Sequence, residues 1–145
     1  MKKIKIGISQ INNSFSGANY LPYAAGLIES YFLKYSKNPK KFKFALPLFK
    51  RISVEDAVKQ FMNLDIVGFS VYSWNEQLSL AIARELKKHN KNITIIFGGP
   101  QVPDYSKRYL LKNKFIDFTV HGEGEKVFLD LVESIECKSF SSVGG

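Results

Sequence analysis

Five times along this chain a strand-like hydrophobic pattern gives way to a helix-like one, and that alternation limits the folds available to it more than any other feature. Lys3–Ser9 opens with Ile at every second position. Tyr20–Tyr35 then spaces Leu21, Ala24, Ala25, Ile28, Tyr31, Phe32 and Tyr35 three and four residues apart, with Pro22 where a first helical turn tolerates it. Phe42–Leu46 reads as a strand, and Ser53 can cap a helix whose Val54, Ala57, Val58 and Phe61 share a face. Asp65–Ser70 is apolar enough for a strand buried on both sides. A helix is expected over Trp74–His89, a strand over Ile93–Phe97, a short helix over Asp104–Asn113, a strand over Phe115–Val120, and a last helix from about Glu123 to Ile135.

Strands joined by helical crossovers must run parallel, and right-handed crossovers favour one arrangement of five strands. The expected fold is therefore α/β: a flavodoxin-like (Rossmann-like) five-stranded parallel sheet of order 2-1-3-4-5 with helices on both faces. Such sheets bind ligands beyond the carboxyl ends of their strands, near the switch point between the first and third. In this chain those ends are residues 9–20, 70–75, 98–104 and 121–125.

Each of these loops carries a candidate. The first is long for a strand-to-helix link and offers Gln10, Ile11 and Asn12, followed by Ser14–Asn19. That stretch is similar to a hydroxyl-rich phosphate loop, or it is a plain polar turn. The third strand delivers Ser70, Tyr72, Ser73, Trp74 and Asn75, hydroxyls and the only Trp, which suit a flat heteroaromatic ligand; Ser73 could equally cap the helix and Trp74 pack on its neighbours. Gly98 and Gly99, before Pro100 and Gln101, point to a group pressed against the main chain, since a turn alone needs one glycine. Gly122-Glu123-Gly124-Glu125 is no dinucleotide fingerprint: it follows the fifth strand and sets carboxylates where pyrophosphate would lie. Those carboxylates favour a helix N-terminus.

The 145 residues, 45% of them apolar, are enough for one packed domain, which excludes a two-domain reading and disorder. No stretch matches a membrane span or a cleavable signal, so a cytoplasmic protein is expected. Cys137 alone cannot supply a disulfide, a four-cysteine zinc site or an iron–sulfur cluster, and no metal-ligating residues are assigned. The net charge is +8, and seven cations (Lys34, Lys37, Lys40, Lys41, Lys43, Lys50, Arg51) fall between Glu29 and Glu55 with no acid among them. Lys outnumbers Arg and no nucleic-acid motif accompanies the run, so it reads as surface rather than a nucleic-acid footprint. An acidic pair for a receiver domain, a P-loop and a nucleophile elbow are all missing. No catalytic residue is assigned.

Taken together, the loops resemble the N-terminal cobalamin-binding domain of cobalamin-dependent radical S-adenosylmethionine enzymes. The resemblance covers nearly the whole chain and rests on Leu21-Pro22-Tyr23-Ala24-Ala25-Gly26-Leu27, Val67-Gly68-Phe69-Ser70-Val71-Tyr72-Ser73-Trp74-Asn75, Gly98-Gly99-Pro100-Gln101 and Val120-His121-Gly122-Glu123-Gly124-Glu125. It implies a cobalamin on the carboxyl edge, lower side toward this domain and upper side toward a radical domain. It also implies a domain over residues 1–137, a linker beginning at 138–145, and a C-terminal radical half, often a methyltransferase, holding S-adenosylmethionine and a 4Fe-4S cluster. The Asp-x-His-x-x-Gly motif of other cobalamin domains is missing, so no His ligation of cobalt is expected. Water, an amide of Gln10 or Asn12, or Ile11 would cover the metal's lower side, with His121 the one alternative ligand. A flavodoxin-like flavin carrier using Ser14–Asn19, and a scaffold domain that binds no cofactor, are the competing readings. Neither needs membrane or nucleic acid.

Overall fold

The strands form where β-branched and aromatic residues alternate between two covers, and their order follows from which helix covers which face. In the computed structural model, which describes residues 2–138, the elements run β1 (Ile4–Ser9), β2 (Ser14–Phe15), β3 (Ala18–Asn19), α1 (Tyr23–Tyr35), β4 (Phe42–Phe44), α2 (Val54–Phe61), β5 (Ile66–Ser70), α3 (Glu76–His89), β6 (Thr94–Gly98), α4 (Lys107–Lys112), β7 (Phe118–Val120) and α5 (Gly124–Cys137). Five strands make one parallel sheet of order β4-β1-β5-β6-β7, the expected 2-1-3-4-5. β2 and β3 pair separately as an antiparallel hairpin. Of the linker expected at 138–145, only Lys138 lies within the described residues.

Alternation along the central strands divides the interior into two cores. Val67, Phe69, Ile95 and Phe97 join Ala57, Val58 and Phe61 of α2 and Ile82, Ala83 and Leu86 of α3. Ile6, Ile8, Ile66 and Ile96 meet Ala25 and Phe32 of α1 and Phe128, Leu129, Leu131 and Val132 of α5 on the opposite face. Phe32 is fully buried and meets Phe42 edge-on at 4.9 Å and Phe44 at 5.3 Å, which seats α1 over the β4 side of the sheet.

Ends of elements differ from the sequence reading by a few residues. α1 starts at Tyr23 rather than Tyr20, because Pro22 stands at the N-cap and the hairpin occupies Ser14–Asn19. α3 starts at Glu76 rather than Trp74, with Asn75 at its N-cap; Ser73 does not cap it. Ser53 does cap α2, accepting from the Asp56 N–H at 3.1 Å. At the amino edge, the carboxylate of Glu133 on α5 accepts from Ser36 Oγ at 2.9 Å and from the Lys37 N–H at 2.8 Å, and Glu136 pairs with Lys41. The hydrogen bond from that ammonium, followed by one from the Cys137 thiol, holds the Glu136 carboxyl below its ordinary value.

Candidate functional site at the carboxyl edge

Parallel strands end together, and between α1 and α5 their ends are not covered. A cleft of about 210 Å³ descends there onto the sheet. Its base is Ile8 of β1, Gly68 of β5 and Ile96 of β6; Ala24 and Ile28 of α1 face Gly124 and Phe128 of α5; Ser70, Tyr72, Gly98, Gly99, Pro100, Gly122 and Glu125 surround its mouth. Small residues keep it open. A Cβ on Gly68 would stand 3.0 Å from both Ile8 Cδ1 and Phe128 Cε2, whereas a Cβ on Gly124 would meet nothing nearer than Ile28 Cδ1 at 3.9 Å.

An aromatic ledge flanks the mouth. The Tyr72 and Trp74 rings stack with centroids 4.6 Å apart and planes 7° from parallel, and Trp74 remains 44% exposed. Its indole N–H donates to the Ile11 carbonyl at 3.2 Å. Asn75 braces the ledge from beneath, its Oδ1 accepting from the Tyr72 N–H at 2.9 Å and its Nδ2 donating to the carbonyls of Ile11 and Ser70 at 3.0 Å each. Beyond it, Glu76 accepts from Gln101 Nε2 and from the Tyr109 hydroxyl, each at 3.3 Å. Burial first, and then the Glu76 charge, pushes the Tyr109 phenol up to about 12.

Several residues expected to touch ligand turn out to support the edge instead. Ile11 is fully buried in the α2–α3 core, so it cannot cover a metal. Gln10 is 7% exposed and its Oε1 accepts from the Ala25 N–H at 3.1 Å, so its amide ties the first loop to α1. Asn75 is 1% exposed with its amide fully engaged. Gly99 needs no ligand to explain it: its φ is +106°, and a Cβ there would lie 2.6 Å from the Val71 carbonyl oxygen. His121 Nε2 lies 3.2 Å from Ser106 Oγ, which in turn accepts from the Thr119 hydroxyl at 2.8 Å, so the imidazole is held within its own strand end and α4.

The phosphate-loop reading of Ser14–Asn19 is also corrected. Ser16 and Gly17 have φ of 48° and 78°, the positive pair of a type I′ turn, and β2–β3 is a hairpin separated from α1 by three residues, Tyr20, Leu21 and Pro22. Its N–H groups therefore do not gather at a helix start. Ser73, Gln101 and Glu123 are exposed near the mouth, and Asn12 belongs to a separate polar cleft. Sequence reasoning does not single out Ile8, Ile28, Ile96, Val120 or Phe128, since their periodicity assigns them to a core; the available signal was the facing small residues Ala24, Gly68 and Gly124. Among the described residues no three His, Cys, Asp or Glu side chains converge as a metal site, and no helix is long and apolar enough to cross a membrane.

Comparison with known proteins places this geometry. The cobalamin-dependent radical SAM methyltransferase TokK of Streptomyces tokunonensis is 30% identical over 121 residues, 81% of this chain and 18% of that protein. The 2-(S-pantetheinyl)-carbapenam-3-carboxylate methyltransferase of Streptantibioticus cattleyicolor matches with the same identity and coverage. The chain thus spans less than a fifth of the length of these relatives. A pilus assembly protein, CpaE of Caulobacter crescentus, superposes with a TM-score of 0.58 at 15% identity, over 92% of this chain and 99% of that one, a likeness of fold alone. A family model described as B12 binding domain matches residues 5–132. Since that match runs from within β1 to within α5, and so takes in both walls of the cleft, the chain belongs to the B12-binding domain family.

Proposed function

We propose that residues 1–137 bind cobalamin and present it to the radical S-adenosylmethionine half of a methyltransferase, with 138–145 leading toward that half. The observation that carries this reading is the apolar cleft opening beside the Tyr72–Trp74 ledge. Pockets for whole drug-sized ligands span about 300–1,000 Å³. At about 210 Å³ this cleft is too small for a corrin ring and suits a bicyclic heteroaromatic group such as the base on the cofactor's nucleotide tail.

The residues present fit the group. Gly68, Ala24 and Gly124 leave room for a flat ring between apolar walls, and the main chain at Gly98–Pro100 and Gly122 brings backbone polar groups to the mouth. Ser70, Tyr72, Ser73, Trp74, Gln101, Glu123 and Glu125, with Asn12 further out, surround the area on which the larger ring would rest. When bound, cobalamin supplies a cobalt centre that carries a methyl group for transfer. The chain's own part is to orient the ring and exclude water from its lower side. S-adenosylmethionine and the 4Fe-4S cluster belong to the other half.

Incubating the folded chain with hydroxocobalamin and then desalting tests the proposal. Retained corrin absorbance is expected, together with quenched Trp74 emission, because the corrin absorbs where indole emits. Gly124→Phe, which fills open space without backbone strain, is expected to abolish retention while leaving the melting temperature nearly unchanged. A folded wild-type chain that elutes without corrin would overturn the reading.

A further inference from the structure

A second opening lies on the same edge, on the β4 side, and its chemistry differs from that of the apolar cleft. It is lined by Asn12, Asn13, Ser14 and Asn19 from the first loop and hairpin and by Lys50, Arg51 and Ile52 from the segment between β4 and α2. The two walls are fixed to each other: the Gln10 N–H donates to the Leu48 carbonyl at 2.8 Å, and the Asn12 N–H donates to the Phe49 carbonyl at 3.0 Å. Ser14 and Asn19 are register partners in the hairpin.

The polar equipment of this opening is one-sided. Lys50 and Arg51 have no ion-pair partner among the described residues, although several other cations of the chain do. Lys50 Nζ makes only a cation–π approach to Phe49, 5.9 Å from the ring centroid. Arg51 spends one N–H on the Trp74 carbonyl at 2.5 Å, which leaves the rest of its fork free. Among the described residues no carboxylate lines the opening, whose other polar side chains are amides and a hydroxyl. Asn12 Nδ2 is turned to the Tyr20 and Leu21 carbonyls at 3.3 and 3.5 Å, and what remains, two unneutralised cations, a hydroxyl and the side-chain amides of Asn13 and Asn19, is complementary to a compact anion.

We propose that this opening is an anion subsite that takes a phosphate group, with Lys50 and Arg51 supplying charge and Ser14 and Asn19 supplying hydrogen bonds. The phosphate belongs either to the cofactor's nucleotide tail or to a separate small molecule brought to the same edge. The inference stands on Lys50 and Arg51 and is tested without cobalamin, so it can fail or hold independently of the cobalamin proposal.

The experiment is calorimetric titration of the 145-residue chain with inorganic phosphate, ionic strength being held constant with potassium chloride. Saturable binding is expected, weakened at least about tenfold in Lys50→Gln and lost in Lys50→Gln/Arg51→Gln, with melting temperatures close to wild type. Lys50→Gln keeps the result interpretable should Arg51→Gln loosen the Trp74 loop. Repeating the titration on cobalamin-loaded protein separates the sources: loss of phosphate binding assigns the cleft to the cofactor's own phosphate, and survival assigns it to a separate ligand. Absence of saturable heat, or heat unchanged in the double variant, overturns the proposal. So does a chain that ignores phosphate but binds a glutamate-rich peptide, since the cleft then serves an acidic protein surface.

Discussion

Gly98 and Gly99 are neighbours in sequence, yet they answer to different constraints. At Gly99 the φ of +106° and the 2.6 Å and 2.8 Å approaches to the Val71 carbonyl oxygen and amide nitrogen exclude a side chain whatever binds nearby. Gly99→Val is therefore expected to cost at least about 1–3 kcal/mol from the backbone alone, and corrin retention should fall only because the fold does. A denaturant titration checks this; an unchanged midpoint would refute it. At Gly98 a Cβ meets only ordinary contacts with Val120 at 3.6 Å, so Gly98→Ala should fold normally and any effect should appear in retention. Trp74 is half exposed, so truncation removes a ring stack worth about 0.5–1.5 kcal/mol and one hydrogen bond of similar size. The Ile11 carbonyl keeps its Asn75 donor, so no orphan remains. Trp74→Ala is expected to lower stability by about 1–2 kcal/mol, well short of a buried aromatic's cost, and to weaken cobalamin retention more than tenfold. Which loop residues face ligand and which brace the loop was not legible in the sequence. Gln10 and Asn75 carry the same amide a ligand contact would use, and only the fold shows that the Ala25, Tyr72, Ser70 and Ile11 backbones already occupy it.

Elements were far more legible than side chains, because a strand or helix is written over many residues. Ile4, Ile6 and Ile8, or the Leu78, Ala81, Ile82 and Leu86 stripe of α3, could be read as periods; Ile6, Ile8, Ile82 and Leu86 are buried where the periods place them, whereas Ile4, Leu78 and Ala81 are half-buried and Ala83, outside the expected stripe, is buried. The β2–β3 hairpin escaped because two-residue strands carry no period and its turn is Ser-Gly rather than the commoner Asn-Gly. The link between α3 and α4 through Glu76 and Tyr109 was equally silent, since no spacing rule joins residues 33 apart. It has a measurable consequence. A tyrosine whose folded value is raised to about 12 against an ordinary 10 contributes stability that is fully present below pH 10 and is lost as pH climbs through 12. Melting temperature should fall across that window, and Tyr109→Phe should flatten the fall; an identical alkaline profile in the variant would contradict the assignment.

At the scale of the molecule, the expected 2-1-3-4-5 order emerged because crossover handedness and two-sided burial leave few alternatives, and the ligand edge followed from it. What that reasoning lacked was depth: it located an edge, whereas the fold sets two openings there, an apolar one between α1 and α5 and a basic one beside β4. The outer walls of the apolar opening begin at Tyr23 and Gly124, and the same two helices are fastened at their other ends by Glu133 to Ser36 and Lys37 and by Glu136 to Lys41. The pair is thus built like a clothes-peg, open at the head and fastened at the foot. A group seated in the cleft is held by walls that are fastened to each other about two and a half turns down α5, from Gly124 to Glu133, so its residence time is expected to depend partly on residues it never touches. Glu133→Gln, which keeps the shape but removes the charge behind two hydrogen bonds, is expected to speed cobalamin release about three- to tenfold with little change in its capture rate. Stopped-flow displacement reads both rates, and a slower capture with unaltered release would show that the fastening does not reach the cleft.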